Sequence, residues 1–314
     1  MVKIYNTDME TDRFSEVHEI KKGCWINMVS PTQEEIAKTC ESINIDDEFM
    51  KYALDFEEKA RIDIEDDITL FIIDVPIIEE DEDEQIYTTM PLAMMVVRDD
   101  YFITVSLREN EIIKPFENGR MRTFATYKKS RFVLQILYKN AELFLSYLKR
   151  INKETEKAED NLRENTQNKE LLKMLSLKKS LVYFTTSLRS NEAVMEKTMR
   201  GKIVKLYEED EDLLEDAIVE NRQAIEMCKI NNDILAGTMD VYSSIISNNL
   251  NSVMKFLTSI TIVLSIPTMV ASFWGMNVPL PFDKNPLGFI IMISISIVIA
   301  VVCTWLLKKK DLLD

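Results

Sequence analysis

The chain has 314 residues and a formal net charge of −15, from 53 acidic and 38 basic residues. That balance argues against nucleic acid as a partner, because a phosphate backbone is held by a surplus of Lys and Arg. One histidine, His18, and four cysteines without a Cys-x-x-Cys pair argue against a soft-metal centre or a histidine-based catalytic site.

Residues 1–12 are acidic and polar, which is not the pattern of a signal peptide. Residues 24–29 read as a strand. Ser30 is then expected to cap a helix, with Pro31 at its first position and Glu34 and Glu35 in its first turn. A short helix follows over 46–56, then strands over 61–65 and 68–75. The second of these is nearly all apolar, as a strand buried on both faces must be. Six consecutive acids at 79–84 read as a solvated loop. Two further strands, 88–97 and 101–107, are joined by a turn at Arg98-Asp99-Asp100. Residues 1–120 are therefore expected to form one domain of mixed strand and helix.

From Thr126 the period becomes helical, with Phe132, Leu134, Ile136, Leu137, Leu143, Phe144, Tyr147, Leu148 and Ile151 on apolar positions. The pattern predicts a first helix to about Glu164, a second over 169–198, and a break at Gly201. A third helix opens near Tyr207 and meets no proline until Pro267, so it is expected to run for about 90 Å at 1.5 Å per residue. Helices of that length usually bundle with copies of themselves, and 121–252 is assigned as a long-helix stalk. The cysteines, Cys24, Cys40, Cys228 and Cys303, read as reduced structural thiols.

The end of the chain is different in kind. No charged residue occurs over 256–282 or over 285–307. Each run reaches the roughly 20 residues that a helix needs to cross a bilayer. The predicted layout is a membrane helix over 253–275, a link over 276–286 rich in Pro and Gly, a second membrane helix over 287–307 and a basic tail over 308–314. Lys255 precedes the first span and Lys308-Lys309-Lys310 follow the second, which predicts both termini in the cytoplasm and the link outside. The residues after Leu250 carry a net +2, so the first 250 carry −17, a surface suited to cations.

Thr258, Thr261, Ser265, Thr268 and Ser272 recur at steps of 3, 4, 3 and 4, which places them on one helix face. Gly275 continues the series, and Asn251 and Met254 extend it back. Two readings stand: small hydroxyl residues let membrane helices pack closely, or they line a pore. Asn277 is likewise open to two readings, a helix C-terminal cap or an oxygen that accepts from the waters of a hydrated cation. The acids Glu208-Glu209-Asp210-Glu211-Asp212 with Glu215 and Asp216 suit a helix N-terminus, where the dipole favours negative charge.

The run from Asn249 to Thr258, then Ile266-Pro267-Thr268, then Phe273-Trp274-Gly275-Met276-Asn277, resembles the CorA family of divalent-cation channels. That family ends its first membrane helix in an aromatic residue followed by Gly-Met-Asn. One departure is that the link after Asn277 holds a single acid, Asp283, where many members carry a Met-Pro-Glu-Leu pattern. The resemblance implies an α+β cytoplasmic domain, long helices and a two-helix transmembrane hairpin, assembled as a homopentameric funnel in the cell membrane. It implies a Mg2+ uptake protein, not an enzyme, with Co2+ or Ni2+ as further cargo. Gly275, Met276 and Asn277 would form the selectivity filter. Asn251, Met254, Leu257, Thr258, Thr261, Leu264, Ser265, Thr268 and Ser272 would line the pore, with Leu257 and Leu264 narrowing it. Counting back from Gly275 places the family's regulatory carboxylate on Asp216. Its partner on a neighbouring subunit falls near Lys51-Tyr52, which are not acids, and Asp55, Glu57 and Glu58 lie close enough to substitute. The rivals are a transporter of Co2+, Ni2+ or Zn2+, and a membrane-anchored sensor or scaffold that conducts nothing.

Overall fold

The structure, a computed structural model, describes residues 1–65, 67–81, 84–164, 168–201, 203, 207–276 and 287–310. The chain forms two compact units, Met1–Gly237 and Thr238–Asp314, each taken by itself below.

The first unit is built on a seven-stranded sheet in the order β2-β1-β3-β7-β6-β5-β4. Its strands are β1 Val2–Thr7, β2 Phe14–Val17, β3 Trp25–Val29, β4 Arg61–Glu65, β5 Ile68–Asp81, β6 Glu84–Val97 and β7 Tyr101–Ser106. Among the described residues only β3 and β7 pair in parallel. The period-2 alternation of a strand splits its side chains between two cores. Phe71, Ile73 and Val75 of β5 join Trp25, Met94 and Phe102 under the long helices. Leu70 and Ile72 join Ile26, Met28, Met95 and Ile103 under α1 (Gln33–Ile43) and α2 (Glu48–Lys51). β5 is thus covered on both faces, which is why it lacks polar alternation.

Three local expectations differ from what is found, and two strands lie where no element was expected. β1 and β2 occupy the acidic N-terminal stretch, where Ile4 and Tyr5 pair with both neighbouring strands. Thr32, not Ser30, caps α1, in a reciprocal box with Glu35, and Ser30 has φ of 42°. Pro31 consequently lies before the helix. The acids at 79–84 are mostly strand: Glu79, Glu80 and Asp81 close β5, and Glu84 opens β6. Fourteen-residue partners continue pairing through the acids, and Arg108 offsets Glu79 with a 2.9 Å ion pair. Residues 82 and 83 lie outside the described residues.

A short helix α3, Lys114–Glu117, leads to three long ones: α4 Lys129–Glu164, α5 Asn168–Gly201 and α6 Glu208–Trp274. Phe132, Ile136 and Leu137 of α4, Val194 and Met195 of α5, and Leu214, Ala217 and Ile218 of α6 cover one face of the sheet. β4 pairs with β5 only as far as Ile72, so the edge of β5 is open at Asp74. Two buried asparagines complete it. The Asp74 N–H donates to Asn191 Oδ1 at 2.9 Å, and its carbonyl accepts from Asn140 and Asn191 at 2.9 and 2.8 Å.

The second unit holds the end of α6 and α7, Gly288–Lys309. Both helices are long and apolar enough to cross a membrane. At 22 residues α7 spans about 33 Å, matching a hydrocarbon core of about 30 Å. Lys309 lies over the Trp305 ring at 5.5 Å, the amphipathic pair expected where a span meets the headgroups.

Candidate functional site

Thr261, Leu264, Ser265, Thr268, Met269 and Ser272 line one open groove of about 460 Å³ along α6. Each hydroxyl hydrogen whose bond is described is turned inward. Thr261 donates to the Leu257 carbonyl at 2.8 Å, Ser265 to Thr261 at 2.6 Å, and Thr268 to Leu264 at 3.0 Å. A hydroxyl that has spent its proton on its own helix presents only lone pairs outward. The groove therefore offers neutral acceptors and no charge. Such a surface can take hydrogen bonds from water, including the water shell of a cation, without holding the ion tightly. Asn251, Met254, Leu257 and Thr258 continue down the same helix, all exposed. Met269 was not singled out from the sequence, although it lies four residues after Ser265 and hence on the same face.

A different face of α6 meets α7. Pro267, Val270, Ala271, Trp274 and Gly275 share an apolar groove of about 440 Å³ with Phe289, Met292, Ile293, Ser296 and Ile297. This set and the hydroxyl set have no member in common. Pro267 has no N–H for the Val263 carbonyl, yet it lies inside the helix.

The helix ends at Trp274. Gly275 donates to the Ala271 carbonyl at 3.0 Å, and Met276 to Phe273 at 3.3 Å. A Cβ on Gly275 would meet only the Ala271 and Ser272 carbonyls, at 3.5 and 3.7 Å. Those are ordinary contacts, so nothing described within the chain requires glycine here. Asn277 lies outside the described residues.

The acidic candidates are dispersed. Asp216 is exposed on α6 and takes part in no ion pair among the described residues. Asp55 accepts the Glu57 N–H at 3.0 Å, and Glu58 is paired with Arg61. Among the described residues no three His, Cys, Asp or Glu side chains come together to hold a metal. The first turn of α6 has a structural occupation of its own. Asp210 is buried and accepts from Arg131 at 3.2 Å and from the Tyr207 N–H at 3.4 Å, while Glu209 accepts from Arg131 at 3.1 Å.

Residues 21–309 match the family described as CorA-like Mg2+ transporter protein. The chain is 28% identical over 296 residues to the cobalt/magnesium transport protein CorA of Methanocaldococcus jannaschii, covering 91% of this chain and 90% of that protein. It is 22% identical over 302 residues to the magnesium transport protein CorA of Helicobacter pylori, covering 91% and 89%. Its fold matches the complete structure of the CorA magnesium transporter from Methanocaldococcus jannaschii with a TM-score of 0.85 at 24% identity, covering 98% of this chain and 97% of that one.

Proposed function

We infer the function from one premise: the chain belongs to the CorA-like Mg2+ transporter family. It carries Mg2+ across the cell membrane as a homo-oligomer, a pentamer, with Co2+ as a second cargo. α6 lines the ion path with Thr258, Thr261, Ser265, Thr268 and Ser272, and α7 lies on its lipid side. The observation that supports this most is the hydroxyl groove of α6, with its protons turned back onto the helix.

Mg2+ sheds water reluctantly, so an uncharged row of acceptors suits passage of the hydrated ion. No charged side chain lies between Phe256 and Trp274 to trap it. Gly275, Met276 and Asn277 form the outer filter. Met276 packs there, since a thioether is a poor ligand for a hard cation. Glycine at 275 is required by neighbouring copies around the axis, because the chain itself tolerates a Cβ there. Leu257 and Leu264, 57% and 64% exposed in the single chain, supply the apolar constriction that gates by dewetting. Asn251 and Met254 extend the lining below.

The regulatory cation site lies between subunits. Asp216 is its ligand from one copy, and Asp55 or Glu57 from the next is preferred over Glu58, which Arg61 already holds. Both termini are cytoplasmic. A non-conducting anchor has no use for a row of acceptor oxygens, which disfavours the scaffold reading. Reconstitution in liposomes tests the function directly, with Mg2+, Co2+ and Zn2+ offered in turn. Mg2+ and Co2+ uptake is expected, and no flux of any ion would refute the reading.

A further inference from the structure

α5 and α6 turn opposite charges away from the core. The residues that α5 exposes between Lys169 and Arg200 include the bases Lys169, Lys179, Arg189, Lys197 and Arg200, and no acid. Its acids Glu192 and Glu196 are half-buried and are held by Arg222 of α6 at 2.6 and 2.7 Å. Leu172, Leu175, Val182 and Tyr183 stand among the bases, all exposed. α6 shows the converse. Between Glu208 and Ile234 it exposes eight acids, and only Arg222 and Lys229 as bases. Val219, Ile230 and Ile234 are the large apolar side chains of that surface. Val219 and Ile230 stand whole turns apart, so they share a face, with Glu226 between them and Asp233 on its flank. Lys179 and Arg189 on α5, and Glu226 and Asp233 on α6, take part in no ion pair among the described residues.

These faces cannot satisfy each other within one chain, because each lies away from the seam where the two helices touch. The seam does fix their relative heights. The Asn221 side chain donates to the Leu188 carbonyl at 2.9 Å, and Arg222 reaches Glu192, so α6 climbs as α5 descends. At about 1.5 Å per residue in opposite directions, Asp233 falls level with Lys179 and Ile230 with Val182. Val219 falls level with Ala193, and Glu226 lies within one turn of Arg189. In a ring whose axis runs along α6, rotation from one copy to the next leaves heights unchanged. Bases on α5 of one copy then stand opposite acids on α6 of the next, and apolar side chains stand opposite apolar ones. A head-to-tail contact of this kind generates a closed ring.

We propose that the outer face of α5 in each copy packs against the outer face of α6 in the next, with Lys179 to Asp233 and Arg189 to Glu226 pairs around a Val182–Ile230 contact. This interface presupposes the homo-oligomer and names the surfaces that build it. It also brings Asp216 of one copy to the height of Lys197 in the next, whose ammonium donates to the Ile62 carbonyl of β4 at 2.9 Å. β4 directly follows Asp55 and Glu57 in the chain, so the same contact carries Asp216 toward them. An anionic membrane surface would match the bases of α5, but it would repel the acids of the adjacent α6. A second copy of the chain suits both faces.

The test is cross-linking of the full-length protein in detergent, in a Cys303→Ser background, since the other three cysteines are buried. Lys179→Cys and Asp233→Cys are combined, and a bis-maleimide of about 10 Å reach is added, because packed helix axes stand about 8–10 Å apart. Both positions are exposed, so the variants should fold. A ladder of covalent oligomers should form at least about 10-fold faster than with either single variant, because only unlike positions meet and the ring holds them at high effective concentration. Lys179→Glu should lower the assembled fraction on dilution about 5-fold, and adding Asp233→Lys should restore it. An intact oligomer without the ladder overturns this interface and leaves the homo-oligomer standing, whereas a monomeric parent removes both. A ladder from either single variant at the rate of the double variant, which marks a like-to-like contact, also overturns it. So does protection of the Lys179→Cys thiol by anionic liposomes without any ladder, which gives the face to lipid.

Discussion

Asp74→Asn should stabilise the protein at neutral pH and leave it nearly unchanged in acid. Burial pushes the Asp74 carboxyl from 3.8 up to about 6, and a hydrogen bond from Ser187 pulls only weakly the other way. No charged side chain contributes to that shift. The folded chain therefore binds the proton more tightly than the unfolded chain. Its stabilising effect is fully present below about pH 4 and is lost as pH rises through about 6. A shift of about 2 units at about 1.4 kcal/mol each makes the ionised group cost about 3 kcal/mol at pH 7.5. Asparagine keeps the shape, carries no charge and can still meet Ser187. Its backbone retains the clamps from Asn140 and Asn191. Thermal unfolding of the full-length protein, followed by circular dichroism, is the assay. The variant should melt about 5 °C above the parent at pH 7.5, and the gap should shrink to about 2 °C near pH 4.5. An equal gap at both pH values, or a variant less stable at neutral pH, would show that Asp74 is not a buried charge held at a cost.

Three further outcomes are expected. Asn277→Ala should abolish Mg2+ uptake in liposomes while the oligomer survives gel filtration, because the proposed filter would lose its acceptor for the hydrated ion; unchanged uptake would remove Asn277 from the filter. Asp216→Lys should make protease sensitivity of the long helices less dependent on Mg2+, since a fixed cation would stand where the proposed site holds one; a parent whose sensitivity ignores Mg2+ would end the sensor reading. A cysteine at position 283 should react with an impermeant reagent from outside, and a reporter fused after Asp314 should be cytoplasmic; the reverse labelling would invert the topology.

Much of this protein is determined by one-dimensional pattern. Period 3.6 over 132–151 and the absence of proline between Tyr207 and Pro267 identify helices without any partner, because those patterns report a helix's own geometry. The steps from Thr261 to Ser272 place four hydroxyls on a single groove for the same reason. Family membership is legible in Gly275-Met276-Asn277 after a charge-free helix, since length and charge are properties of the chain alone.

Other features exist only once distant segments meet. β1 and β2 are invisible in an acidic N-terminus, because their stability comes from pairing, β1 with β3 and β2 with β1, and not from local propensity. The acids at the end of β5 become strand because β6 continues the ladder past them. Asp74 looks like one acid among many until β4 stops short and two helices bring Asn140 and Asn191 to the exposed edge. Lys129 is one base among many in the sequence until folding buries it. Burial, register and the meeting of charges across sequence distance are long-range quantities, so tertiary structure alone decides them.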